Sequence, residues 1–176
     1  MSARVAWRLE SMGFPEVYRY HAGKADWAAM GLPIEGAEAA IPTTGSAAAK
    51  KTPTCRTAER VGVVRERTLG AGWDLCVVTN ENGVVLGLLT RAALDAAPDT
   101  AVEQVMEPVP TTYRPNLFAE EALHYMHQQD IELVLVTTSD GELIGVLRHE
   151  DAARALAEAG GQGGKRSTGR SPYRRD

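Results

Sequence analysis

Two short stretches of the sequence place polar side chains where they could bind a ligand. GLLTRAAL, residues 87–94, carries the hydroxyl of Thr90, and GVLRHEDA, residues 145–152, carries Arg148 at the matching position and Asp151 three residues later. Each stretch follows a glycine-bearing turn and a short apolar run, so these groups stand near predicted helix starts, where backbone N–H groups attract anions. These side chains could bind a ligand through hydrogen bonds and ion pairs.

The charged residues of the second stretch also have a purely structural interpretation. Asp151 falls in the first turn of a predicted helix, where a carboxylate interacts favourably with the helix dipole. Arg148 could pair with Asp151 or Glu150 on the surface, and His149 is interpreted as a solvated side chain. The residues alone leave both interpretations open.

A thiolate nucleophile is the second chemistry that the sequence raises. The six-residue stretch CRTAER, residues 55–60, begins with Cys55 and ends with Arg60, a spacing similar to that of anion-binding catalytic loops. The stretch lacks glycine, however, and a reactive thiolate needs converging N–H groups that lower its pKa. We therefore interpret it as a strand and a helix start, and Cys76 as a small buried residue; two cysteines without C-x-x-C spacing predict neither a disulfide scaffold nor a metal site.

An internal repeat positions these residues. DLCVVTNENGVVLGLLTRAAL aligns without a gap on ELVLVTTSDGELIGVLRHEDA, an offset of 58 positions from residue 74 to residue 132. NLFAEEALHYMHQQ has the apolar spacing of an amphipathic helix, and NENG and SDG are turns between short β-rich runs. The last stretch, HEDAARALAEAG, predicts a helix that ends at Gly160. Each copy is therefore predicted to run strand, helix, strand, strand, helix.

This pattern resembles the tandem cystathionine-β-synthase-type (CBS) repeat, the CBS pair or Bateman module. The resemblance rests on the order of elements, on the glycine four residues past the turn glycine, and on the approach VMEPVPTTYRP to the second copy. It covers residues 51–160. It implies an α/β fold of two β-α-β-β-α repeats, and because one repeat buries too little apolar surface alone, we expect the two to pack sheet to sheet.

The resemblance also implies a binding site. In that family, adenosine nucleotides or S-adenosylmethionine lie in clefts between the repeats, held by a signature of glycine, two apolar residues, Thr or Ser, two variable residues and Asp. The Asp accepts hydrogen bonds from the ribose hydroxyls, and the hydroxyl helps to hold phosphate. The Thr falls on Thr90 and Arg148, and the Asp on Ala93 and Asp151. A nucleotide in the first cleft would lose a charge-assisted interaction of about 1.5–3 kcal/mol, so we expect that cleft to be empty.

We therefore predict that the second cleft binds the ligand through Asp151 and Arg148, with Thr111, Thr112 and Glu132 as wall residues implied by the family geometry. The ligand would be an adenine nucleotide (ATP, ADP or AMP) or S-adenosylmethionine, acting as a regulator, with no cofactor required. The resemblance implies a homodimer that regulates an unidentified protein and carries no catalytic group.

The N-terminal stretch ARVAWRLESMGFPEVYRYHAGKADWAAMGLPIEG is similar to the last part of a rhodanese-type sulfurtransferase domain. It predicts a helix ended by Gly13, a strand at EVYRY and a second helix at KADWAAMGLP. The resemblance implies a catalytic cysteine just before the first helix, where the chain has only Met1 and Ser2. We expect either a degenerate packing element, with Trp7 and Trp27 on its apolar face, or the end of a domain truncated by a wrongly chosen start. The alternative functions are accordingly a sulfurtransferase whose catalytic part is missing from this chain, or a ligand-free interaction module.

Composition sets the remaining expectations. The net charge of −4 argues against a nucleic-acid binder, and no stretch has the apolar length of a signal peptide or a membrane span, so we expect a cytoplasmic protein. The predicted organisation is a rhodanese-like remnant (1–36), a flexible linker (37–50), repeat 1 (51–103), repeat 2 (104–160) and a disordered basic tail (161–176).

Overall fold

The computed structural model describes residues 2–18, 23–29, 32, 34–36, 41–108 and 111–162. Its helices are α1 Ser2–Ser11, α2 Gly23–Ala29, α3 Thr44–Ala47, α4 Val61–Gly70, α5 Arg91–Leu94, α6 Ala119–Gln128 and α7 His149–Gln162, with a 3-10 helix at Val102–Gln104. Its strands are β1 Thr54–Cys55, β2 Cys76–Thr79, β3 Val85–Leu89, β4 Glu107–Pro108, β5 Thr112–Tyr113, β6 Leu133–Thr137 and β7 Leu143–Arg148. No helix in these ranges is both long and apolar enough to cross a membrane.

The strands form two small sheets that repeat one another. The first has the order β1-β2-β3-β4 and the second β5-β6-β7, each with one parallel pair followed by antiparallel pairing. Thr54 pairs with Val77 in the first sheet, and Thr112 pairs with Leu135 in the second, so the offset of 58 positions is preserved. The predicted mixed α/β fold with two sheets is confirmed.

The centre of the core lies between the two sheets. A buried cluster joins Leu75, Val77 and Leu88 of repeat 1 to Leu135 and Val146 of repeat 2, and none of these side chains is more than 5% exposed. Each repeat has one further buried apolar cluster, under the helices that follow its strands. Burial of both sheet faces explains why the strands read as continuous apolar runs rather than as an alternating pattern.

Residues 41–50 fold, although we predicted a flexible linker over 37–50. Thr43 and Ser46 form a reciprocal capping box at the start of α3, and Thr44 is completely buried. Ala49 bridges to Val146, with N–H···O distances of 2.8 and 3.2 Å in the two directions. The segment that precedes repeat 1 therefore packs on the sheet of repeat 2. Its sequence, with Gly, Ser and Ala at the centre, does not indicate this packing.

The segment that joins the two repeats, residues 102–108, does the same in the opposite direction. The 3-10 helix places Val102 in the core of repeat 1, and β4 pairs Glu107 with Leu88 and Pro108 with Gly87 on the edge of the first sheet. Residues 49 and 107 are related by the same offset of 58 as their partners 146 and 88. In each repeat, the segment that precedes the first strand thus pairs with the sheet of the other repeat.

The chain differs from the prediction at both ends of the module. α7 continues through Gly160 to Gln162, because a glycine in a helix costs only about 1 kcal/mol and α7 packs on α6 and α3. The predicted tail lies outside the described residues from position 163 onward. Residues 16–18 of the predicted strand EVYRY form no strand, since no neighbouring strand in the described part of the chain pairs with them, and residues 19 and 20 lie outside it.

The two N-terminal helices differ in how closely they are packed. α1 ends before Gly13, which has a φ of +91°, as predicted, and α2 begins at Gly23, one residue before KADWAAMGLP, and ends inside that stretch at Ala29. α2 contacts α3, and its Asp26 is 3% exposed, with the hydroxyl of Ser139 at 3.5 Å from Oδ2. Trp7 on α1, in contrast, is 68% exposed.

Candidate functional site

A cleft of about 560 Å³ lies between the two repeats. Repeat 1 supplies the connection from α4 to β2, and repeat 2 supplies the end of β7 and the start of α7. This volume falls within the range of small-molecule sites. Its lining residues are Ala49, Leu69, Gly72, Trp73, Asp74, Arg91, Arg148, Glu150 and Asp151.

The strand-to-helix junction of repeat 2 brings the predicted ligand residues to this cleft. β7 ends at Arg148, and the N–H of His149 donates to the carbonyl of Glu132 at 3.0 Å, so α7 begins without a loop. Gly145 lets Ala49 approach the strand, since a Cβ at this glycine would lie 2.6 Å from the Ala49 oxygen. The segment 41–50, which packs on repeat 2, thereby lines the cleft beside Arg148 through Ala49.

Arg148 connects the two walls of the cleft. Its Nη2 lies 2.5 Å from Oδ1 of Asp74, and its guanidinium carbon lies 5.5 Å from the centre of the Trp73 ring. The hydrogen bond from Arg148 holds the pKa of the Asp74 carboxyl below its usual range, so Asp74 is ionised at neutral pH. The partner of Arg148 thus comes from the other repeat, and not from Asp151 or Glu150 as the structural interpretation of the sequence suggested.

Asp151 faces the same cleft from the first turn of α7. Its side chain is 13% exposed, and Oδ1 accepts a hydrogen bond from Arg154, one turn along the helix and 62% exposed. An ion pair with so exposed a partner contributes little to stability. The carboxylate is therefore available to a competing hydrogen-bond donor in the cleft.

The three other predicted wall residues lie elsewhere. Thr111 and Thr112 are exposed at the edge strand β5, where the Thr111 carbonyl accepts from Leu135 N–H at 3.2 Å, and they do not line this cleft. Glu132 lies with His149 in a separate hollow of about 110 Å³. The corresponding residue of repeat 1, Asp74, takes the position in the cleft that we expected Glu132 to have.

The sequence contained the signal for Asp74. Glu132 and Asp74 are the first residues of the two aligned copies, so assigning the wall to the opposite repeat would have selected Asp74. Trp73 precedes it and was missed for the same reason.

Repeat 1 keeps the threonine of the family signature, Thr90, but has Ala93 in place of the aspartate, and these two residues have a different environment. The Thr90 hydroxyl donates to Oε1 of Glu107 at 3.2 Å, and Ala93 packs against the core of repeat 1. Glu107 is the counterpart of Ala49, so a carboxylate stands here where the second cleft has a methyl group. This charge disfavours an anionic ligand beside Thr90.

Neither cysteine has the environment of a nucleophile. Cys55 is 3% exposed and Cys76 is fully buried. The hydrogen bond with Cys76 and burial raise the pKa of the Cys55 thiol. Cys55 is therefore a protonated, buried thiol on β1, which agrees with its assignment to a strand.

The chain therefore forms a module of two α/β repeats. The segment before each repeat's first strand pairs with the sheet of the other repeat, and a cleft of ligand size lies between the repeats. Residues 102–158 match the family model of the CBS domain, so the match covers the second repeat together with the segment that packs on the first. A search of the curated proteins finds no match.

Solved structures share the fold of both repeats. The cytosolic domain of the Mg²⁺ channel MgtE in complex with ATP is 24% identical, with a TM-score of 0.58 over 68% of this chain and 52% of that one, so this chain spans about half of its length. CBSX2 in complex with AMP is 18% identical, with a TM-score of 0.59 over 66% of this chain and 97% of that one. The CBS domain pair of MJ0100, in complex with 5′-methylthioadenosine and S-adenosyl-L-methionine, is 16% identical, with a TM-score of 0.58 over 67% and 98%. The fold of this chain is that of a CBS domain pair, as its repeat pattern indicated.

Proposed function

We propose that this chain is a regulatory protein that binds one adenine nucleotide, or S-adenosylmethionine, in the cleft of Arg148 and Asp151. The observation that carries the proposal is that a cleft of about 560 Å³ holds both residues at a boundary between the repeats. The neighbours that contain ATP, AMP, or 5′-methylthioadenosine with S-adenosyl-L-methionine support an adenosine ligand.

The residues of the cleft have distinct roles in this proposal. Asp151 accepts hydrogen bonds from the ribose hydroxyls in place of the one from Arg154. The Trp73 ring and Leu69 offer apolar contact to the base. Thr111, Thr112 and Glu132 are not needed, and the Thr90 cleft stays empty.

Ligand binding would regulate the partner by shifting a conformational equilibrium of this protein, without a covalent step. Because Trp73 and Asp74 come from repeat 1 and Arg148 and Asp151 from repeat 2, a ligand in the cleft contacts both repeats at once. It would therefore favour one relative arrangement of the repeats, which an unidentified protein partner recognises.

Calorimetric titration with ATP, AMP and S-adenosylmethionine tests the proposal. We expect micromolar binding with a stoichiometry of one, lost in Asp151→Ala and retained in Asp99→Ala, which removes an exposed carboxylate outside the cleft. Absence of heat from all three ligands on folded protein would instead support a ligand-free interaction module, in which the ion pairs of Arg148 and Asp151 are purely structural.

We further propose that the protein is a cytoplasmic homodimer. Large apolar side chains are exposed on and beside the outer helices, including Val63 at 60% on α4, Tyr125 at 45% on α6 and Phe118 at 38% before it. Light scattering should give twice the monomer mass for the wild type and a smaller mass for Tyr125→Asp. A monomeric wild type at micromolar concentration would contradict the dimer.

We interpret residues 1–36 as a degenerate rhodanese-like element with no catalytic role, and residues 41–50 as part of the CBS module rather than a linker. The buried, protonated thiol of Cys55 supports the absence of thiolate chemistry. We expect no thiosulfate sulfurtransferase activity, and turnover that Cys55→Ser abolishes would contradict this.

A further inference from the structure

The cleft proposed above has an excess of negative charge. Its charged lining consists of the guanidinium groups of Arg91 and Arg148 and the carboxylates of Asp74, Glu150 and Asp151, two cations against three anions. A site that held a polyphosphate would need the reverse balance, with arginine or lysine side chains free to pair with it.

The arginines in and beside this cleft are already paired. Arg148 lies 2.5 Å from Asp74, and Nε of Arg91 lies 3.5 Å from Oδ2 of Asp95. Arg154, on the next turn of α7, is hydrogen-bonded to Asp151. The ribose would release Arg154 from Asp151, but Arg154 does not line the cleft, so a phosphate inside it would have to displace a carboxylate before it gained a guanidinium partner.

Asp74 would remain charged next to such a phosphate. The hydrogen bond from Arg148 holds the pKa of Asp74 below its usual range, and Glu150 has no ion-pair partner among the residues that the structure describes. At the short distances within the cleft, like charges repel measurably even at high effective dielectric. This repulsion grows with each charge on the ligand, so it acts most strongly against a triphosphate.

The same surface suits a ligand with a cationic 5′ substituent. Asp74 and Glu150 can pair with an ammonium group, and Ala49 offers apolar contact to a methyl group.

We infer that this cleft selects an adenosine whose 5′ substituent is a sulfonium-bearing amino acid over one that carries a 5′-phosphate or polyphosphate. The inference rests on the proposed function and names the ligand class for that same site.

Four probes with the same adenosine moiety test the inference by calorimetry at low salt. S-adenosylmethionine carries the sulfonium, S-adenosylhomocysteine is the matched neutral thioether, and AMP and ATP carry increasing negative charge. We expect affinity to fall in that order, with S-adenosylmethionine bound at least about tenfold more tightly than ATP. ATP or AMP bound as tightly as S-adenosylmethionine would overturn the inference and leave the proposed function intact, whereas no binding by any probe would overturn both.

Charge-neutralising variants distinguish ligand selection by the charges of the cleft from selection by its shape. Asp74→Asn removes one negative charge and Glu150→Gln removes another, so each should reduce the preference for S-adenosylmethionine over ATP several-fold. Both side chains lie at exposed positions, and both variants should fold. Glu81→Gln, on the distant turn of repeat 1, is the control and should leave the preference unchanged. Equal preferences in all four proteins would contradict a selection by charge.

Discussion

At the scale of single residues, the contact that defines the cleft is the one between Arg148 and Asp74. It joins side chains 74 positions apart, one from each repeat, and it stacks the guanidinium on Trp73. Arg148 is 32% exposed and Asp74 58% exposed on the side chain, so solvent screens the pair and its contribution to stability is small. Its importance lies in fixing the direction of Arg148.

The depressed pKa of Asp74 predicts how Arg148→Gln changes stability with pH. A carboxyl whose folded pKa lies below its unfolded value of about 3.9 stabilises the fold above that pH, and the contribution is lost as pH falls through the folded pKa. We expect Arg148→Gln to be less stable than the wild type by at most about 1 kcal/mol at pH 7. Urea unfolding at pH 7, 5 and 3 should show the difference shrinking only below about pH 4. A difference independent of pH would assign the effect to packing on Trp73.

At the scale of elements, two glycines permit the exchange of segments between the repeats. A Cβ at Gly145 would lie 2.6 Å from the carbonyl oxygen of Ala49, and one at Gly87 would lie 2.7 Å from that of Glu107. These are the two glycines that follow each turn glycine by four residues in the aligned copies. Their position in the repeat therefore reflects the close approach of a neighbouring backbone.

Substitution of these glycines by alanine should destabilise the protein. The new methyl group meets backbone rather than a flexible side chain, so we expect Gly145→Ala and Gly87→Ala each to cost about 1–3 kcal/mol in chemical denaturation. Gly160→Ala is the control, since nothing lies within 4 Å of its Cβ and α7 continues through it. That variant should be neutral or more stable by up to about 1 kcal/mol. A stable Gly145→Ala protein would show that Ala49 is not held against β7.

At the scale of the whole molecule, the repeats share one core. The cluster between the sheets contains Leu88 from repeat 1 and Leu135 from repeat 2, and the exchanged segments add buried contacts in both directions. Neither sheet can expose its inner face without exposing that of the other. The two repeats should therefore unfold together.

Calorimetry of matched leucine variants tests this cooperativity. Leu88→Ala and Leu135→Ala each remove a side chain that is at most 5% exposed, and each should cost about 2–5 kcal/mol. Both should lower the temperature of one common transition, although they lie in different repeats. Two separate transitions, with each variant shifting only its own, would show that the repeats are independent.

The sequence by itself determined the repeated architecture. The offset of 58 positions, the glycines and the apolar runs predicted the strands and helices of both copies, because such patterns report local conformation and burial along one stretch of chain. It also placed Arg148 and Asp151 together, since a strand that runs directly into a helix brings residues three positions apart to the same end of the element. The missing carboxylate at Ala93 was likewise evident from the alignment of the copies.

Only the tertiary structure decided what faces these residues. Asp74 and Trp73 reach the cleft because two sheets stack across a shared core, and residues 41–50 fold because the sheet of repeat 2 offers an edge and a buried surface to a segment about a hundred positions away. Thr111, Thr112 and Glu132 lie outside the cleft for the same reason: the opposite repeat supplies the wall. Contacts between distant segments depend on how whole elements pack, and no local pattern of residues records that geometry.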